Sequence, residues 1–103
     1  SGKVKREAIY VDDIADACIY FMNKKTNEFL INIGVGKDHT IIEFAKKILK
    51  VVGVKAQIKF DKTKPDGTPQ KLLDVSEAKK HGWNSKTTLE NGLFKAYKSF
   101  KNS

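Results

Sequence analysis

Apolar positions recur along this chain at two periods, separated by short polar breaks, and the periods predict its elements. Arg6-Glu7-Ala8-Ile9-Tyr10-Val11 is a short β-type run ending at Asp12-Asp13. Those aspartates are suited to N-cap a helix carrying Ile14, Ala17, Cys18 and Phe21 on one face. After a polar turn over residues 23–27, Phe29, Leu30, Ile31, Asn32 and Ile33 read as a strand, stopped by Gly34-Val35-Gly36. Thr40 and Glu43 then have capping-box spacing ahead of Ile41, Phe44, Ala45, Ile48, Leu49 and Val52 at helical period, and Gly53 is placed to end that helix. Residues 56–60 alternate and predict a third strand. Ser76 caps a brief helix closed by Gly82. Thr87 and Glu90 open a last helix with Leu89, Leu93, Ala96, Tyr97 and Phe100 on one stripe. The expected order is β-α-β-α-β-loop-α-α, an α/β (α+β) unit over residues 1–103.

One stretch has no period at all. Residues 61–74 hold both prolines of the chain, a Pro65-Asp66-Gly67 turn, three lysines and three aspartates. Each proline fixes φ and biases the residue before it toward extended geometry, while Asp-Gly supplies the turn. On composition alone it reads as a solvated connection, although a stiff charged loop between apolar elements commonly presents side chains to a ligand.

Charge sharpens the picture. The net charge of +8 favours anionic partners: nucleic acid, phosphorylated ligands or nucleotides. Nineteen of the 20 cations are lysine, however, and Arg6 is the sole arginine. Specific base reading leans on arginine, and single-strand platforms need clustered aromatics, so both features count against nucleic acid. No apolar run approaches a membrane span, and no signal core follows the basic start. Cys18 has no partner for an internal disulfide and reads as a small buried hydrophobe. A cytoplasmic location is the expectation.

The residues show no catalytic machinery of their own. Tyr20 with Lys24 and Tyr97 with Lys101 have Tyr-x-x-x-Lys spacing, but no glycine-rich dinucleotide turn lies upstream of them. Gly34-Val35-Gly36-Lys37 faintly resembles a phosphate loop, yet Asp38 stands where that pattern needs Ser or Thr. His39 and His81 occupy separate turns without ligand spacing, which argues against a metal site. As the only planar fork in the chain, Arg6 suits a phosphate or pyrophosphate, and Lys71 follows a rigid turn as a possible point charge.

Two segments then fix a resemblance. Residues 6–17 resemble the Arg-Glu-Phe-x-x-Val-Asp-Asp-x-Ala-x-Ala segment of the extended short-chain dehydrogenase/reductases, and residues 31–36 resemble the Asn-x-Gly-x-Gly segment that follows it. The run from Lys64 to Asp74 is narrower and resembles the Lys-Pro-Asp-Gly-Thr-Pro-x-Lys-x-x-Asp motif of the GDP-L-fucose synthase family, with Gly82-Trp83 and the Leu89 to Leu93 segment in agreement.

The resemblance implies the carboxy-terminal, substrate-binding portion of such an enzyme, without its NADP-binding Rossmann domain or its catalytic Ser, Tyr and Lys. The implied parent is a cytoplasmic, homodimeric, NADP(H)-dependent 3,5-epimerase/4-reductase that makes GDP-L-fucose from GDP-4-keto-6-deoxy-D-mannose. By itself this portion is expected to be inactive, to bind no cofactor, to take a GDP-sugar and to self-associate. Carried over by position, the substrate-binding residues are Arg6, Gln57, Asp66 and Lys71. Gln57 falls where some members place arginine, Gln70 where arginine or lysine is common, and Ala8 replaces a bulky aromatic. A sister GDP-deoxysugar enzyme and a stand-alone basic nucleic-acid module are the alternatives.

Overall fold

The capping box at Thr40 forms as its spacing demands. In the computed structural model, which describes residues 2–25 and 30–102, the Thr40 side chain accepts from the Glu43 amide at 3.2 Å and Glu43 returns a bond to the Thr40 amide at 3.0 Å. The element order is β1 (Lys5–Arg6), α1 (Val11–Met22), β2 (His39–Thr40), α2 (Ile41–Val52), β3 (Gln70–Lys71), α3 (Ser76–Lys80) and α4 (Leu89–Lys101). α2 ends at Gly53 in the left-handed region, φ 77°, where its amide bonds Leu49 O. This is the small mixed α/β unit expected, but its strands lie elsewhere. β1 pairs antiparallel with β2 and parallel with β3, giving the order β2-β1-β3.

The predicted strand over residues 6–11 stops at Arg6, because the amides that a longer ladder would engage bond a side chain instead (below). Residues 30–33 and 56–60 enter no ladder, and Phe29 and the end of the polar turn lie outside the described residues. Their alternation still orients side chains. Ile31 and Ile33 pack on the core, and Phe60 lies over Gly2, where an added Cβ would meet the ring at 2.3 Å.

That core is small: Ala17, Val75, Ala78 and Trp83 are buried, and Ile9, Tyr20 and Phe21 close around them. Trp83, 3% exposed, donates its indole N–H to Asp16 Oδ2 at 2.9 Å. Asp12 and Asp13 do not cap α1. Its N-cap is Tyr10, with no side-chain bond, and both aspartates sit in the first turn, favourably for the helix dipole. Asp13, 5% exposed, accepts from the amides of Lys86 and Thr87 at 3.1 and 2.9 Å and from the Thr87 hydroxyl at 3.1 Å. With Thr87 engaged there, α4 is capped one residue later than expected: Thr88 accepts from the Asn91 amide. Glu90, the expected capping-box partner, pairs with Lys47 on α2. Likewise Ser76 begins α3 rather than capping it, and Asp74 Oδ1 accepts its amide at 3.0 Å.

α1 is apolar on both sides. Ala17 faces the core, while Val11, Ile14, Ile19 (62% exposed) and Met22 (83% exposed) face out, together with Cys18, which is exposed rather than buried as expected. With apolar side chains on its outer as well as its inner face, and Asp12 and Asp16 between them, α1 has a second face suited to burial. On α4, Ala96 and Phe100 are exposed although Leu93 and Tyr97 are half-buried. The Cα radius of gyration is 16.2 Å, against about 13 Å for a compact domain of this length.

Removing Asp13 strands buried amides, whereas removing Thr40 loses one exposed cap. Asp13→Ala is expected to cost about 3 kcal/mol of unfolding free energy and Thr40→Ala about 1 kcal/mol. Urea denaturation checks the order of the two.

Candidate functional site

β1 is the middle strand, and its last residue, Arg6, together with Glu7 just after it, organises what lies beside it. The Arg6 Nη1 donates to Lys5 O and Thr68 O, each at 2.7 Å, and its Nη2 reaches Asp66 O at 3.5 Å. The guanidinium thus grips the turn of residues 66–68 from one side. Gly67 adopts φ 76°, a conformation that L side chains rarely take, and a Cβ there would stand 3.5 Å from Arg6 Nη2. The Lys5 amide donates to Pro69 O at 2.8 Å and leads the loop into β3.

Glu7 works at the loop's other end. Its Oε1 accepts from the Leu73 amide at 3.2 Å, and its Oε2 accepts from the Val35 and Gly36 amides at 2.9 and 2.5 Å. Two segments that would otherwise flank β1 as strands therefore bond a carboxylate, which is why the ladder ends at Arg6. In the Gly34-Val35-Gly36 turn the Val35 and Gly36 amides both donate to Glu7.

The loop itself is set by local aspartates. Asp61 Oδ1 accepts from the Thr63 amide and hydroxyl at 2.9 and 2.5 Å, and Asp74 accepts from Ser76. The Thr63 hydroxyl, then its amide, holds the Asp61 carboxyl below the usual carboxylate range, and the Ser76 amide does so for Asp74.

Lys71 is the register partner of Arg6 in the parallel pair, so the two side chains leave the same face of the sheet. Asp66 supplies a carbonyl to Arg6. Three of the four expected binding residues thus share one edge. Gln57 stands apart: it is exposed, and among the described residues no hydrogen bond ties it to this cluster. Gln70 faces away from Lys71 and donates to Asp38 at 2.6 Å, so its missing positive charge is felt at Asp38.

A cleft of about 520 Å³ lies elsewhere, between β2, α2 and the start of α4. Several of the polar groups that line it are engaged: Lys47 pairs with Glu90, Lys86 with Asp16 at 3.2 Å, and His39 lies 3.6 Å from Glu43. The Trp83 N–H, then Lys86, keeps the Asp16 carboxyl below its ordinary range. Both Tyr-x-x-x-Lys spacings are surface cation–π pairs, with Lys24 5.5 Å from the Tyr20 ring centre and Lys101 5.4 Å from that of Tyr97. The Tyr20 hydroxyl also donates to His81 O, so it is held as a structural group.

Glu7 is the residue that sequence reasoning passed over. Its partners stand 28, 29 and 66 positions away, and the local sign of its role is Gly34, where a Cβ would come 2.9 Å from Oε2.

No family model matches the chain. By fold it matches the carboxy-terminal part of the extended nucleotide-sugar epimerases and reductases. It aligns with a GDP-mannoheptose C4 reductase from Campylobacter jejuni, solved with NADP bound, at TM-score 0.83 and 34% identity, over 98% of this chain and 33% of that one. Within that class its sequence is similar to GDP-L-fucose synthases. The Escherichia coli (strain K12) GDP-L-fucose synthase is 45% identical over 97% of this chain and 34% of its own length. A putative GDP-L-fucose synthase 2 of Arabidopsis thaliana is 43% identical over 94% of this chain and 30% of its own length. The chain spans about a third of the curated relatives it matches.

Asp61, Asp74 and Asp16 all titrate lower when folded, so each contributes stability that is present above its unfolded pKa and lost as pH falls through the folded one. Stability is expected to decline between about pH 5 and pH 2. Asp74→Asn, which keeps an acceptor but cannot titrate, should flatten part of that decline when unfolding is followed against pH.

Proposed function

We propose that this chain is the GDP-sugar-binding part of an NADP(H)-dependent epimerase/reductase of the GDP-L-fucose synthase type. The carrying observation is the Arg6 and Glu7 latch on residues 66–73, which sets Lys71 beside Arg6 on one face of the sheet. A nucleoside diphosphate would meet the Lys71 ammonium as a point charge. The ordered turn is held by Arg6, whose Nη1 bonds the Lys5 and Thr68 carbonyls while its Nη2 reaches the Asp66 carbonyl, so the guanidinium would act on the ligand mainly through its charge and through the loop it fixes. The NADP(H) of the parent would supply hydride, and the proton donors would come from the remaining two-thirds of the protein.

The site is open on one side, as expected of half a cleft. The outer face of α1, with Val11, Ile14, Ile19 and Met22, supports the same view: it is a surface for the other part of the parent. In isolation that face favours self-association. Light scattering is expected to give a mass above the monomer that returns to it in Ile19→Lys; a monomer at all concentrations would contradict this.

GDP, a GDP-sugar and a short oligonucleotide, each titrated at two salt concentrations, separate the readings. GDP and the GDP-sugar should bind, and Lys71→Ala should weaken them by about tenfold or more. NADPH should not be oxidised with a 4-keto sugar. Oligonucleotide binding far above GDP affinity with a steep salt slope would favour the nucleic-acid module instead.

A further inference from the structure

We propose that Glu7 is a positioning residue for the ligand loop, fixing where Lys71 stands without contacting the ligand itself. The proposal rests on the GDP-sugar reading above. Leu73, whose amide Glu7 holds, lies two residues beyond Lys71, while Arg6 holds the loop on the other side of Lys71 at Thr68 and Asp66. Two consecutive residues, the last of β1 and the one after it, therefore pin both flanks of the segment that carries the cation. The same carboxylate pins the Val35–Gly36 turn, so loop and turn share one anchor.

Chemistry narrows what can replace it. Only an ionised carboxylate offers acceptors on both oxygens, and bonds from backbone N–H to such a group are charge-assisted. Glutamine keeps one acceptor and turns an NH2 toward backbone donors. Gly34 gives an independent handle. It does not adopt a left-handed φ, so alanine is tolerated by the backbone, but its Cβ would stand 2.9 Å from Oε2 and displace the carboxylate.

The test uses Glu7→Gln and Gly34→Ala in the 103-residue chain, with two readouts. By amide hydrogen exchange, both variants are expected to speed exchange at Leu73, Val35 and Gly36 by about tenfold while α2 keeps its rates. By GDP titration, Glu7→Gln is expected to weaken binding about tenfold when Lys71 is present and under about twofold when it is alanine. Equal losses in both backgrounds, or faster exchange spread evenly into α2, would mark a merely structural role and overturn the proposal. If the unsubstituted chain binds no GDP, the functional reading fails. The exchange pattern then still decides the matter, since unchanged rates at Leu73 would show that Glu7 does not place the loop.

Discussion

Two consecutive side chains of opposite charge, Arg6 at the end of β1 and Glu7 just beyond it, replace the sheet that the backbone does not build. Arg6 is all donors and takes carbonyls at 66 and 68. Glu7 is all acceptor and takes amides at 35, 36 and 73. Backbone groups near a core must find partners, and a three-stranded sheet with two-residue strands satisfies few of them. Charge-assisted bonds from these two side chains supply the rest and bind three separate chain segments together. These bonds hold both ends of the 66–73 segment.

The helices were legible because their signals are local. Thr40, Glu43 and Gly53 carry the whole instruction for α2 within 14 residues, and the structure follows it. The strands were less so. Alternation at 30–33 and 56–60 correctly orients Ile31, Ile33 and Phe60, but pairing depends on a partner strand that alternation does not name. Where caps moved, a distant bond had claimed the local residue: Thr87 went to Asp13, so Thr88 took the cap. Arg6, Asp66 and Lys71 stood out in the sequence through rarity and turn chemistry. Glu7, one acidic residue among 12, did not.

The packing matches a portion of a larger fold. Among the described residues the core comprises three small or medium side chains and one tryptophan, and α1 is apolar on a face that none of them covers. Relatives about three times as long give that face a place to go. In the cleft beside α2 and α4, Lys47 and Lys86 are paired with Glu90 and Asp16, so a concavity is not by itself a free anion site. The proposed diphosphate site is instead the edge that brings Arg6 and Lys71 onto one face of the sheet.

Mapping GDP onto the chain by amide chemical-shift perturbation tests this account most directly. Shifts concentrated at Arg6 and over residues 66–73, lost in Lys71→Ala, are the expected result. Shifts centred on Lys47 and Lys86 in the α2–α4 cleft, or none at any GDP concentration, would contradict it.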